Sequence, residues 1–267
     1  MAAPAGGGPT AFREETLAHA RVAVRTCRAG AGDSVVFLHG AGGRPLWSAF
    51  FANLAAKFDL IVPEHPAFGA SEDAQWLRNI SDLSYYYLDF LEGLPGEKIH
   101  LIGHSLGGWI AAEAAIKNCS RIASLSLIAP AGVRIKGVPT GDVFIWSPEE
   151  TVRNLYHDQS IADEVLKRVP TEEEADLRLR DRFAATRFGW EPRLFDPALQ
   201  NWLHRVKVPT LVLWGAEDRI IPSRYAEVWQ KQLPNVAVEI IPHCGHLPHI
   251  EKPDLVSQKI ISFVENN

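Results

Sequence analysis

Cysteine is scarce in this chain. Its 267 residues hold Cys27, Cys119 and Cys244, too few and too scattered for a disulfide framework. A reducing, cytoplasmic compartment is therefore the expectation. No apolar run is long and uncharged enough to span a bilayer, which argues against stable membrane insertion. Clustered positive charge is missing as well. Lys and Arg number 27 against 32 Asp and Glu, a net charge of −5, so nothing electrostatic invites nucleic acid. No internal repeat or long low-complexity tract is present. The opening "MAAPAGGGP" lacks the basic start and apolar centre of a secretory signal; residues 1–16 read as a flexible leader. The "GAGG" of 40–43 lacks the third glycine of a dinucleotide fingerprint, because position 45 is Pro45. Oligomeric state leaves no trace in the sequence.

What is present is a rhythm. Short apolar, β-branched runs at 34–40, 59–65, 98–104, 123–130, 209–215 and 236–242 suit strands buried on both faces. Helix-like stretches at 46–57, 79–92, 105–117, 223–232 and 253–265 alternate with them. This predicts an α/β fold, a mostly parallel sheet covered by helices on both faces. The stretch 20–28 alternates polar and apolar residues, as an antiparallel edge strand would. Between 134 and 206 the rhythm stops, and charged helical pieces carry Phe144, Trp146, Tyr156, Phe183, Phe188, Trp190, Phe195 and Trp202. That segment reads as a helical cap inserted into a core of 17–133 and 207–267. Most of its aromatics are expected to fill the cap's own core, and a few to face the ligand crevice at the strand ends.

One motif raises a chemical question. Gly103-His104-Ser105-Leu106-Gly107 closes a predicted strand and opens a predicted helix. A side chain thrust from so tight a turn strains its own backbone, and small residues two positions away on either side relieve the crowding. The helix N-terminus then aims free N–H groups at the site. A plain Gly-Ser turn is the alternative, so the nucleophile reading needs partners. In chain order an acid should follow one late strand and a histidine the next. Asp218 stands in the turn after 209–215, with Glu217 as rival acid. His246 follows 236–242, with His243 and His249 as rivals. Gly245 and Pro248 oppose a regular helix there, so the three rings should not share a face as metal ligands. For a developing oxyanion, backbone N–H donors are expected from Leu106 and from Ala41, with Gly42 as fallback. Gly42, Phe68 and Trp109 are candidates for the substrate pocket, while Trp109 could equally be ordinary core. His104 reads as a packed structural histidine and Cys244 as a buried, inert thiol.

Taken together, "FLHGAGG", "IVPEHPAFGASE", "LIGHSLGGWIAAEAA", "LSLIAPAGV", "PTLVLWGAEDRIIP" and "CGHLPHIEKP" resemble the α/β-hydrolase superfamily over nearly the whole chain after the leader. The resemblance implies a nucleophile at Ser105, an acid at Asp218, a base at His246, oxyanion donors at Ala41 and Leu106, and a cap after the sixth strand. Serine at 105 departs from the aspartate of haloalkane dehalogenases and epoxide hydrolases. "LIAPAGV" and "CGHLPHIEKP" look similar to carboxylesterase and monoacylglycerol-lipase-like members. The expectation is therefore a serine hydrolase cleaving small carboxylic esters with an apolar part, through an acyl-enzyme, without cofactor or metal. The relatives that split carbon–carbon bonds of meta-ring-fission products usually carry Asn and Trp where this chain has His104 and Leu247. A C–C hydrolase, a non-catalytic ligand receptor on the same fold, and acyl transfer to an acceptor other than water are the alternatives.

Overall fold

The computed structural model describes residues 11–19 and 21–267. Its centre is an eight-stranded sheet in the order β1-β2-β4-β3-β5-β6-β7-β8. These strands are β1 (Arg13–His19), β2 (Val22–Ala29), β3 (Ser34–Leu38), β4 (Asp59–Pro63), β5 (Ile99–His104), β6 (Ile122–Ile128), β7 (Thr210–Gly215) and β8 (Val236–Ile241). The pairs β1/β2 and β2/β4 are antiparallel and the remaining ladders parallel.

Alternation along each strand explains how helices cover both faces. Val36, Leu38, Leu101, Leu127 and Trp214 point into one core, shared with α2 (Ile80–Glu92), α3 (Leu106–Lys117) and α8 (Ala226–Gln232). Their neighbours Val35, Phe37, Ile102, Ile128 and Leu213 point into the other, shared with α1 (Ala49–Ala55) and α10 (Pro253–Glu265). Helix starts follow local chemistry. Asn79, for example, accepts the Asp82 N–H at 2.8 Å and fixes the first turn of α2.

Three sequence expectations need correction. The leader reading of 1–16 lies partly outside the described residues, but Arg13–Thr16 belong to β1. The Glu14–Arg25 ion pair at 2.8 Å joins that strand to β2. Among the described residues the edge is therefore β1, and β2 pairs with β1 on one side and β4 on the other. At the opposite end β8 is only half-buried, because no strand lies beyond it among the described residues.

Between β6 and β7 the chain forms a helical insertion, comprising α4 (Pro148–Leu155), α5 (Gln159–Lys167), α6 (Glu172–Gly189) and α7 (Leu199–Trp202). Capping boxes at Ser147/Glu150 and Thr171/Glu174 start α4 and α6. Helix α6 turns Ala184, Ala185 and Phe188 inward. Phe183, on its other side, is 67% exposed, and Trp190 and Trp202 also face solvent. These three do not fill a cap core; Tyr156 and Phe188 are the buried aromatics of the set. Among the described residues, no helix is long and apolar enough to cross a membrane. The short α9 (Pro248–Glu251) completes the chain before α10.

Candidate active site

The parallel strands deliver the singled-out residues to one edge of the sheet. Ser105 follows the last residue of β5, Asp218 lies three residues past β7, His246 five past β8, and the Gly40–Gly43 turn follows β3. At Ser105 the backbone takes φ 52° and ψ −115°, a conformation L-residues rarely adopt and one that stores strain. Surrounding bonds hold it there. The Ser105 N–H reaches Ile128 O at 2.9 Å, and the Ser105 carbonyl accepts from Ala131 and Trp109.

Glycine is needed on both sides of the serine. A Cβ on Gly103 would stand 2.4 Å from Gly107 O, and one on Gly107 would stand 2.1 Å from Leu38 O. Both contacts are with backbone, which cannot yield cheaply. Gly107→Ala is therefore expected to cost about 3 kcal/mol or more, by overpacking against a rigid strand. Gly42, where a Cβ would meet nothing within 4 Å, should tolerate alanine with a change of under about 0.5 kcal/mol. Thermal melts of the two variants test the contrast; equal melting temperatures would contradict it.

Asp218, His246 and Ser105 come together. His246 Nε2 lies 3.0 Å from Ser105 Oγ, and His246 Nδ1 lies 2.7 Å from Asp218 Oδ2. The other carboxylate oxygen of Asp218 accepts the N–H groups of Ile220 and Ile221 at 2.8 and 2.9 Å, and Trp214 Nε1 donates to Oδ2. With its lone pairs so occupied, the carboxylate is fixed in place and its free direction points at the imidazole. That contact directs the Nδ1 proton to Asp218 and leaves Nε2 as acceptor for the hydroxyl. All three side chains are buried.

The rivals face elsewhere. Glu217 Oε2 accepts the Cys244 N–H at 2.9 Å, so it holds the loop below the histidine. His243 sits against His157, and His249 packs beside Phe37, Phe50 and His104. Among the described residues, no three His, Cys, Asp or Glu side chains gather as metal ligands would. His104 Nε2 meets the His246 carbonyl at 3.0 Å and so ties the β5 turn to the β8 loop. Burial lowers its titration well below the usual histidine range, with His249 and His246 adding to the effect. Burial also pushes the Cys244 thiol up to about 12, which leaves it a poor nucleophile.

Gly40 brings the glycine turn to the serine: a Cβ there would lie 3.3 Å from Ser105 Cβ. Ala41 is half-buried and Gly42 exposed. Phe68 is fully buried, edge-on to His39 and stacked on Phe188 of α6 at 6.3 Å. Trp109 packs under the loop after β6, where a Cβ on Gly132 would touch its ring at 2.7 Å. A cavity of about 250 Å³ opens beside the Asp218 turn, bounded by Val133, Phe144, Leu194, Ile220 and Ile221, with Arg134, Thr140, Asp142 and Arg193 at its polar side. Gly42, Phe68 and Trp109 do not line it. Ile220 and Ile221, two and three residues past Asp218, line it and were not among the sequence candidates.

The chain matches the family model described as alpha/beta hydrolase fold over residues 33–253. It belongs to the α/β-hydrolase fold family. This α/β hydrolase is 28% identical over 232 residues to an uncharacterized hydrolase, YugF, of Bacillus subtilis (strain 168), covering 79% of this chain and 82% of that one. It is 29% identical over 264 residues to a 2-hydroxy-6-oxononadienedioate/2-hydroxy-6-oxononatrienedioate hydrolase of Paraburkholderia phymatum, covering 88% of each. Among solved structures, the naproxen esterase of Bacillus subtilis superposes with a TM-score of 0.76 at 18% identity, covering 96% of this α/β hydrolase and 92% of the esterase.

Proposed function

We propose that this α/β hydrolase cleaves carboxylic esters through a Ser105 acyl-enzyme, with Asp218 and His246 completing the triad. The observation that carries the reading is the continuous Ser105–His246–Asp218 relay, with links of 3.0 and 2.7 Å. His246 Nε2 takes the hydroxyl proton as Ser105 Oγ bonds to the ester carbonyl carbon. The negative oxygen of the tetrahedral intermediate is held by the N–H groups of Leu106, at the start of α3, and Ala41. His246 then gives its proton to the departing alcohol oxygen, and the C–O bond breaks. Water, deprotonated by the same nitrogen, releases the acid and restores the serine. Asp218 stays ionised and stabilises the imidazolium.

The cavity beside the Asp218 turn offers an apolar acyl or alcohol part the side chains of Val133, Phe144, Leu194, Ile220 and Ile221, with Arg134, Thr140, Asp142 and Arg193 forming its polar part. A second reading has its own support. The Paraburkholderia relative and a 2-hydroxy-6-oxo-6-phenylhexa-2,4-dienoate hydrolase of Burkholderia cepacia, 26% identical, bear names of C–C bond hydrolases. His104 and Leu247 replace the usual Asn and Trp of those enzymes, which favours the ester reading.

A chain-length series of p-nitrophenyl esters, run beside a 2-hydroxy-6-oxodienoate, separates the two. Ester turnover is expected to exceed dienoate cleavage by at least about tenfold in kcat/KM. Dienoate cleavage alone, with all esters inert, would overturn the proposal.

A further inference from the structure

The helical insertion reaches the glycine turn through one carboxylate. Asp181, in the middle of α6, accepts the Gly69 N–H at 2.7 Å across 112 residues of sequence. Its other oxygen lies over Gly43, where a Cβ would stand only 2.1 Å from Oδ2. Gly43, at φ +87°, closes the turn containing Ala41 by donating to Gly40 O at 3.2 Å. The next residue is tied from the core side. Arg44 Nε donates to Glu64 Oε1 at 3.1 Å, and Glu64 Oε2 accepts the Ala70 N–H at 2.9 Å. Two carboxylates, one from the insertion and one from the core, thus hold the adjacent N–H groups of Gly69 and Ala70. The glycine turn is gripped between them.

We propose that Asp181 is a positioning residue for the oxyanion cradle, seating the Gly40–Gly43 turn against Ser105 from the insertion side. The inference rests on the ester-hydrolase reading, in which Ala41 is an oxyanion donor. Docking of the insertion does not hang on this side chain, since other residues of α6 also bind the same core loop. Arg180 donates to Ser71 O at 3.1 Å, and Arg187 pairs with Asp73 at 2.5 and 3.0 Å. A dedicated contact at the turn, beside two that suffice for docking, is what separates positioning from mere attachment.

The charges facing Asp181 are Glu64 from the end of β4, Arg44 from the turn and Arg180 from its own helix. Burial pushes its carboxyl up to about 6, Glu64 adds to the rise, and the Gly69 N–H and both arginines oppose it. A neutral group of the same shape therefore fits this place, and asparagine can keep the acceptor oxygen on Gly69.

The test is the rate at which a fluorophosphonate labels Ser105 in the full-length protein at pH 7, with saturation kinetics separating kinact from KI. Asp181→Ala is expected to lower kinact about tenfold while KI stays within about twofold, the mark of lost transition-state support. Asp181→Asn should restore kinact to within about threefold of wild type. Asp181→Glu keeps the charge but drives a methylene toward Gly43, and should lose kinact as Asp181→Ala does. Arg187→Ala, which weakens docking away from the turn, should leave kinact at the wild-type value. Wild-type kinact in both Asp181→Ala and Asp181→Glu would overturn the inference. So would an effect confined to KI, or an asparagine variant no better than alanine. Ser105→Ala must remain unlabelled. Absence of labelling in the wild type would instead defeat the serine-hydrolase reading and take this inference with it.

Discussion

Ser105→Ala should reduce ester turnover roughly ten-thousandfold or more, while the folded protein keeps its melting temperature. The size follows from what is lost: the oxygen that forms the covalent bond, with no other hydroxyl in its place. The fold should be indifferent because alanine fills the same turn, whose backbone bonds to Ile128, Ala131 and Trp109 survive. The acid is tested the same way. Asp218→Asn should lose about a thousandfold or more, because the Nδ1 proton of His246 no longer has its acceptor and the wrong tautomer forms. Glu217→Gln keeps an oxygen for the Cys244 N–H, and should stay within about threefold of wild type. Initial rates on a p-nitrophenyl ester, with circular dichroism melts, measure both quantities. A large loss at Glu217 with little at Asp218 would reverse the assignment.

Acid should unfold this protein steeply. His39, His65, His104 and His249 are buried, and burial pushes all four below the usual histidine range, His65 to about 4 and His249 to about 3. The rings crowd in pairs, His39 and His65 at 3.8 Å and His104 and His249 at 4.6 Å, so each proton added makes the next harder to bind. The native state keeps the rings neutral, whereas the unfolded chain takes up protons near pH 6.5. Their contribution is therefore complete above about 6.5 and is lost progressively as pH falls toward 4. Asp181 works the other way. Its raised titration adds stability as pH drops through about 6. Four histidines against one carboxyl leave a net loss of stability as pH falls from 6 to 5, each histidine costing at most about 1.4 kcal/mol per pH unit. Calorimetric melts at pH 7, 6 and 5 should show a falling transition, and His249→Leu should flatten the fall by up to about 1 kcal/mol per pH unit. A melting temperature constant across that range would contradict the account.

The relay was legible because its sequence signal is steric and local. Gly103 and Gly107 are required where backbone passes within 2.4 Å of a would-be Cβ, and the order of Ser105, Asp218 and His246 follows from parallel strands ending on one side. The choice of Asp218 over Glu217 was not settled by sequence alone. It depends on which carboxylate the turn directs at the imidazole. The sheet's edges were misread because pairing is non-local: β1 carries charged side chains and looks like leader, and β8 has the composition of a central strand but, among the described residues, pairs with β7 alone. Helix α5 went unread because its start rests on Asp158, whose carboxylate accepts the Ser160 N–H. Phe183 is exposed because α6 has only one face to bury, whereas Trp190 stands at the end of that helix and Trp202 at the end of α7, both facing solvent. Asp181 left no local mark at all. Its meaning lies in Gly43 and Gly69, far away in the chain.

The most direct measurement is a pre-steady-state reaction with p-nitrophenyl acetate, quenched within the first turnover and mapped by peptide mass. The account predicts a burst of p-nitrophenol and an acetyl group on the peptide containing Ser105, absent in Ser105→Ala. Turnover without any acyl adduct, or with the adduct on another side chain, would contradict it.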